Sequence, residues 1–200
     1  MPLHVVHAGC AALTSSHERL FPCATAHRVV RIVGGVWAGT PLVSPAGRVR
    51  PTAEDMRTGW MQLHAAELEG ARVLDLFAGT GALGLEALSR GARTADFVEN
   101  GAEALHALKA NVAKVRAHGR TRIFKKDAIP FVQALPAGAY DIAFADPPYG
   151  SRKADLVIER WLDVPFSAVL AVEHDGTRPL PGRAGLHPFG DVVVSIYRRA

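Results

Sequence analysis

The chain has 200 residues, 48% hydrophobic and 21% charged, a balance that fits one packed domain with a small appendage and excludes a disordered or fibrous polypeptide. Its 23 Lys and Arg against 19 Asp and Glu leave a formal net charge of +4, which admits a polyanionic partner without requiring one. No apolar run is long enough to span a bilayer, so no membrane association is expected, and the two cysteines, Cys10 and Cys23, have neither metal-ligand nor redox spacing; no metal is expected, and a reducing cytoplasm is.

Residues 1–27 share no pattern with the rest of the chain. Their short apolar piece contains histidine and has no Lys or Arg before it, which argues against a secretory signal. The segment reads as an extension of low order, with Val29 or Val30 opening the authentic chain. Residues 28–70 read as a small N-terminal element, too short to fold alone. Within it RIVGGVWAGTPLV alternates apolar residues with glycines as a β-hairpin does, SPAGRVRPT is a Pro/Gly/Arg loop, and AEDMRTGWMQLHAAEL is a helix leading into the first core strand.

From Arg72 the rhythm changes to strand and helix in alternation. RVLDLF is an apolar strand, AGTG a glycine turn, and ALGLEALSRGA a helix closed by Gly91. ADFVEN is a second strand; Leu105, Leu108, Val112 and Val115 then recur at helical spacing and predict a helix from about Ala102 to Ala117. TRIFKKDA, YDIAFA and AVLAVEH supply three more strands, with IPFVQAL and ADLVIERWL as the helices between them. The alternation predicts an α/β fold, a mostly parallel sheet covered on both faces. FGDVVVSIYRR, β-branched after a Gly-Asp turn, adds an antiparallel hairpin at its edge. From Lys109 to Lys126 there are seven basic residues and no acid, a pattern open to phosphate contact and equally to an ordinary solvated helix face.

Four strand ends carry chemistry. In VLDLFAGTGALG the turn after the first strand has glycines, Gly79 and Gly81, where a backbone must approach a ligand, with Asp75 and Phe77 at the strand end. Glu99 ends the second strand, about twenty residues on, where a ribose-binding acid belongs, and Asp127 ends the third. Glycines not spaced as G-x-G-x-x-G, backed by acids, suit a ribose-bearing ligand with a cationic amino-acid portion better than a pyrophosphate; S-adenosylmethionine, with its ammonium and sulfonium, fits. At the end of the fourth strand stand Asp146, Pro147, Pro148 and Tyr149. The prolines stop the strand and expose carbonyls that no ladder partner claims. A carboxylate and a proline carbonyl accepting from one exocyclic NH2 can pull a poorly nucleophilic nitrogen toward tetrahedral geometry and aim its lone pair at a methyl donor, while Tyr149 stacks on an extruded base.

Together DLFAGTGALGLEALSRGA, the acid of FVEN, the Asp of KKDA and ADPPY resemble the Rossmann-like class I methyltransferase fold with an amino-methylating motif. With RIVGG, Trp37, the RPT of Arg50 to Thr52, and Arg57 added, the chain from about Arg31 to Arg199 resembles the bacterial RsmD family, whose members methylate guanine N2 in 16S rRNA. The resemblance implies a seven-stranded methyltransferase domain over residues 71–200, S-adenosyl-L-methionine as donor, and one guanine as target, position 966 in the customary rRNA numbering. It also implies that Asp75, Phe77, Gly79 and Gly81 line the cofactor site, that Glu99 holds the ribose hydroxyls and Asp127 the adenine amine, and that Asp146 to Tyr149 hold the target base. The N-terminal hairpin and RPT loop would then help hold 16S rRNA or an assembling 30S subunit, or cover the pocket; Arg48, Arg50, Thr52 and Arg57 are the candidate contacts, the three arginines being open also to a reading as ordinary surface charges, and the protein is expected to act as a monomer. Thr40 and Thr58 stand where the family usually has an Arg and a Glu, which bears on RNA affinity more than on chemistry. Trp37 and Trp60 read as packing residues, and His106 and His118 receive no role.

The same residues admit three rival readings. DPPY serves an adenine N6 amine as well as a guanine N2 amine, although a DNA enzyme of that kind would ordinarily carry a target-recognition region for which this chain has no room. A noncatalytic RNA-binding or assembly factor on the same fold would carry a damaged glycine loop or DPPY, and both are intact. A nicotinamide enzyme is disfavoured by the glycine spacing.

Overall fold

The computed structural model describes residues 30–44 and 54–199. Among them seven strands form one sheet: β1 (Arg72–Leu76), β2 (Thr94–Glu99), β3 (Thr121–Lys125), β4 (Tyr140–Ala145), β5 (Ser167–His174), β6 (Gly185–Phe189) and β7 (Val192–Arg198). The helices are α1 (Glu54–Leu63), α2 (Ala65–Leu68), α3 (Ala82–Ser89), α4 (Ala102–Lys114), α5 (Ala128–Gln133) and α6 (Lys153–Asp163). Spatially the strands run β3-β2-β1-β4-β5-β7-β6, with β1 to β5 parallel and β7 antiparallel to both its neighbours. This is the Rossmann-like sheet with a C-terminal antiparallel hairpin that the alternation predicts.

Successive residues of the central strands face opposite layers, because side chains alternate along a strand. Val73, Ile142, Phe144, Val169 and Ala171 pack with α1, α3, α4 and part of the 30–44 segment. Leu74, Leu76, Ala143, Ala145, Leu170 and Val172 pack with α5 and α6. Burial on both faces explains why these strands read as near-continuous apolar runs. Pro188 lies in the edge strand β6 and denies that edge an N–H donor to a passing strand.

From β1 the chain moves outward to β2 and β3, then returns to the other side of β1 for β4 and β5. The topological switch therefore falls between β1 and β4, and a crevice opens beyond their carboxyl ends. The residues after β1, β2, β3 and β4 all reach that end of the sheet.

The N-terminal segment departs from the expected hairpin. Ile32 N–H donates to the Thr40 carbonyl at 2.9 Å and Leu42 N–H to the Val30 carbonyl at 2.7 Å, but residues 30–44 form only one bridge, Arg31 to Pro41, and no strand. The reason lies in α3. Glu86, fully buried, accepts the N–H groups of Val33 and Gly34, each at 2.7 Å, so these donors do not serve a ladder. Ser89 Oγ accepts from Trp37 N–H at 2.9 Å and donates to the Gly34 carbonyl at 2.5 Å. Gly35, at φ 77°, lies so close that an added Cβ would sit 1.8 Å from the Ser89 carbonyl oxygen. Asn111 and Lys114 of α4 extend the clamp, Asn111 pairing with both backbone groups of Val43 and Lys114 Nζ donating to the Pro41 carbonyl.

Arg57 also differs from expectation. It is 1% exposed, and its Nη2 donates to the Arg31 carbonyl at 2.6 Å, so in this structure it braces the N-terminal segment from α1 and does not face a phosphate. Trp60 is fully buried with its ring 5.5 Å from that of Phe144, the packing role expected of it. Trp37 is half-buried beneath the Arg120 guanidinium, 5.1 Å from the ring centre.

Replacing Glu86 by Ala strands two backbone donors and the Arg90 guanidinium, which now contacts Glu86 at 2.8 Å. The expected cost is about 3 kcal/mol in urea unfolding, with proteolytic cleavage in the stretch from Arg31 to Val43 preceding global unfolding. Cleavage and unfolding that stay coincident would show that the clamp does not hold this segment.

Candidate active site

Helix α3 begins at Gly81, whose φ of 77° is left-handed and which brings no side chain to cap the helix. A Cβ at Gly81 would lie 2.3 Å from Leu108 Cδ1, so any other residue meets both strain and a clash. The capping role falls instead to Asp75, in β1. Its Oδ2 accepts the Gly84 N–H, in the first turn of α3, at 2.9 Å, and the carboxyl is 2% exposed. A carboxylate so placed satisfies an orphan donor and faces the positive end of the helix.

Between strand and helix the backbone is held in uncommon conformations. Phe77 adopts φ 58° and Gly79 φ 54°. For a bulky aromatic that is a true outlier, of the kind that clusters at functional sites. The direction a Cβ would take from Gly79 meets nothing nearer than the Phe77 carbonyl oxygen at 4.0 Å, so the loop has an open flank there.

Glu99, ending β2, organises the next loop and the first one together. Its Oε2 accepts the Gly79 N–H at 2.8 Å, and its Oε1 accepts the N–H groups of Asn100 and Gly101 at 2.8 and 2.7 Å. Asp127, after β3, caps α5 by accepting the Ile129 N–H at 3.0 Å. Its other oxygen lies 3.4 Å from Asn100 Nδ2 and 3.7 Å from Lys153 Nζ. That lysine also sits 5.6 Å from the centre of the Phe77 ring, which links α6 to the glycine loop.

Burial above all pushes the Asp75 carboxyl up to about 8; the Gly84 N–H opposes this, and the negative fields of Asp146 and Glu99 add to the rise. Asp75 thus senses the carboxylates of both Asp146 and Glu99 across one crevice. An anionic pyrophosphate would meet all three, whereas a cationic ligand relieves their repulsion. A ribose-bearing cation therefore suits this set of donors and acceptors.

At the end of β4, Pro147 is buried and Pro148 exposed, and Ser151 Oγ donates to the Pro148 carbonyl at 2.6 Å. Tyr149 leaves about a third of its surface open, and its hydroxyl donates to Glu173 Oε1 at 2.5 Å. Pro147, Pro148, Tyr149, Glu173, His174 and Arg178 help line a cavity of about 480 Å3. Asp155 lines it too, paired with Arg178 at 2.8 and 2.5 Å, which holds its carboxyl below the usual range.

Asp75, Phe77, Gly79, Gly81, Glu99, Asp127 and the Asp146 to Tyr149 run are thus gathered at the carboxyl ends of β1 to β4. Arg57 is not among them, and Arg48, Arg50 and Thr52 lie outside the described residues. Sequence reasoning misses Glu173, Lys153 and the Glu86 clamp. Glu173 carries a faint signal: it stands at the end of a strand parallel to β4, as the other acids stand at the ends of theirs.

Comparison with known proteins points the same way. A family model described as conserved hypothetical protein 95 matches residues 30–186. Ribosomal RNA small subunit methyltransferase D of Escherichia coli K12 is 33% identical over 180 residues, covering 85% of this chain and 90% of that protein. The Haemophilus influenzae protein of that name is 29% identical over 160 residues, covering 76% and 81%. Among solved structures, a hypothetical protein of Thermus thermophilus superposes with a TM-score of 0.73 at 28% identity, covering 86% of this chain and all of that one.

An acid whose folded pKa lies above its unfolded value keeps an extra proton in the folded state, so it lowers stability as pH rises through that interval. For Asp75 the interval runs from about 4 to about 8. His64, buried and held down to about 4, gives the opposite slope, but its effect is complete above its ordinary value of 6.5. Between pH 6.5 and 8 the ligand-free protein should therefore lose stability as pH rises. Asp75→Asn should flatten that fall in thermal melts and raise Tm relative to the parent at pH 8. Parallel pH profiles for the two proteins would contradict the raised Asp75 value.

Proposed function

Because this chain belongs to the family of ribosomal RNA small subunit methyltransferase D, we propose that it transfers a methyl group to the exocyclic N2 amine of a guanine in 16S rRNA during maturation of the small subunit. The observation that carries the proposal is the meeting, at one sheet end, of a glycine loop backed by Asp75 and Glu99 with the Asp-Pro-Pro-Tyr strand end. S-adenosyl-L-methionine, when bound, supplies a methyl group activated by a sulfonium. In this reading the chain acts as a single copy.

Gly79 to Gly81 bring the backbone close to the donor, while Asp75 and the end of α3 fix the shape of that loop. Glu99 accepts from the ribose hydroxyls and Asp127 from the adenine amine. Lys153, beside both Asp127 and the Phe77 ring, closes that end of the crevice. Asp146 and the Pro147 carbonyl accept from the target amine, opposing delocalisation of its lone pair into the ring. Tyr149 stacks on the base after it leaves its helix. The donor would give up its methyl carbon and keep the electron pair of the bond released, and Asp146 would take the surplus proton of the alkylated nitrogen and pass it on to water. Asp146 need not be a strong base, since alkylation makes the nitrogen acidic.

The test supplies the protein with methyl-labelled donor and small subunits, or 16S rRNA, from cells lacking this methylation, with nucleoside analysis of the product. N2-methylguanosine is expected; label in N6-methyladenosine would replace the guanine assignment with an adenine one. Asp146→Ala should lower kcat by about 100-fold with the donor KM little changed, as loss of an orienting group in the transition state does. Glu99→Ala should mainly raise the donor KM, by about ten-fold. Equal transfer by Asp146→Ala and the parent would refute the proposed role of the strand end.

A further inference from the structure

Nothing in Asp-Pro-Pro-Tyr itself tells guanine from adenine, since Asp146 and Pro147 address an amine that both bases carry. Discrimination needs a group that faces the ring nitrogen beside that amine. Guanine presents a donor there, N1–H, whereas adenine presents a lone pair beside its N6 amine. An acceptor-only side chain reads the difference, and among such groups a carboxylate accepts most strongly.

Glu173 is placed for this. Ala145 pairs with Val172 in the parallel ladder of β4 and β5, so Asp146 and Glu173 come next on neighbouring strands. Both Glu173 and the Pro147 to Tyr149 run line the cavity of about 480 Å3. Glu173 is 2% exposed, and a carboxylate is costly to hold at such depth unless donors address it. One donor is the Tyr149 hydroxyl, at 2.5 Å from Oε1. Tyr149 belongs to the strand end that would receive the base, so its hydroxyl occupies a place that a base N–H would take once the ring swings to stack.

We propose that Glu173 is the specificity-determining residue of this site, accepting from guanine N1–H while Asp146 and the Pro147 carbonyl hold N2. The inference rests on the guanine-N2 reading of the site and deepens it. Before a base enters, the Tyr149 hydroxyl latches onto Glu173 and keeps its carboxylate hydrogen-bonded. Entry of guanine exchanges that donor for N1–H. Adenine, or any base with a lone pair at that position, sets a lone pair against the carboxylate and is turned away.

2,6-Diaminopurine separates this role from every other, because it keeps the N2 amine and replaces N1–H by a lone pair. Small subunits reconstituted with ligated 16S rRNA would carry either guanine or 2,6-diaminopurine at the methylated position, and kcat/KM for methyl transfer would be compared. The parent protein should prefer guanine by roughly 100-fold. Glu173→Gln keeps an oxygen to accept from Tyr149 but can turn an amide N–H toward the lone pair, so the preference should shrink by about ten-fold or more. Tyr149→Phe removes the latch and not the carboxylate, and should leave the preference in place. Transfer to guanine with an unchanged ratio in Glu173→Gln overturns the inference alone and assigns Glu173 to holding Tyr149. A parent that uses both bases equally overturns it irrespective of how any variant folds. A parent that transfers to neither overturns the guanine-N2 reading and this inference together.

Discussion

The structure turns on one buried hydrogen bond, from the Gly84 N–H to the Asp75 carboxyl. Helix α3 starts at a left-handed glycine that has no side chain to cap it, and the strand before it supplies the missing acceptor. For that to work β1 and α3 must approach more closely than ordinary residues allow. A Cβ at Gly84 would lie 2.4 Å from Phe97 Cε1 and 3.1 Å from the Asp75 oxygen itself. The small residues of this turn are thus a packing requirement as well as an opening toward a ligand. The geometry that caps the helix also leaves an acid at the floor of the crevice.

Helix α3 then serves two regions. Its first turn shapes the glycine loop through Asp75, while further along Glu86 and Ser89 grip the backbone from Val33 to Trp37. Asn111 of α4 joins the two regions directly, donating to both the Val43 and Thr80 carbonyls at 3.0 and 2.9 Å. The N-terminal segment and the glycine loop are therefore held by one rigid pair of helices. The charge pattern is divided as well: acids line the crevice at the strand ends, while the basic run from Lys109 to Lys126 lies on α4, β3 and their connections.

Much of this is legible in the residues. The strand and helix alternation from Arg72 onward has one dominant solution, a parallel sheet with a switch point, and the acids at three successive strand ends point to that crevice. What is not legible depends on partners far away in sequence. RIVGGVWAGTPLV looks like a hairpin because its glycines resemble turn residues, yet Gly35 is needed for contact with Ser89, and Glu86 claims the donors a hairpin would use. Glu86 in LGLEALS looks like the exposed face of an amphipathic helix, whereas in the fold it is fully buried. Arg57 looks like a surface charge for the same reason; only the tertiary packing of α1 against the N-terminal segment removes it from solvent. Glu173 stays hidden in VEH because β5 continues through it, without the prolines or glycines that mark the other strand ends.

If the acid-lined crevice takes a cationic methyl donor, as proposed, the proton that burial favours on Asp75 leaves as the donor binds. Calorimetric titration of S-adenosyl-L-methionine at pH 7, repeated in buffers of different ionisation enthalpy, counts the protons exchanged on binding. The account predicts release on the order of one proton per site for the parent protein and its loss in Asp75→Asn. Binding with the same proton count in both proteins would contradict it.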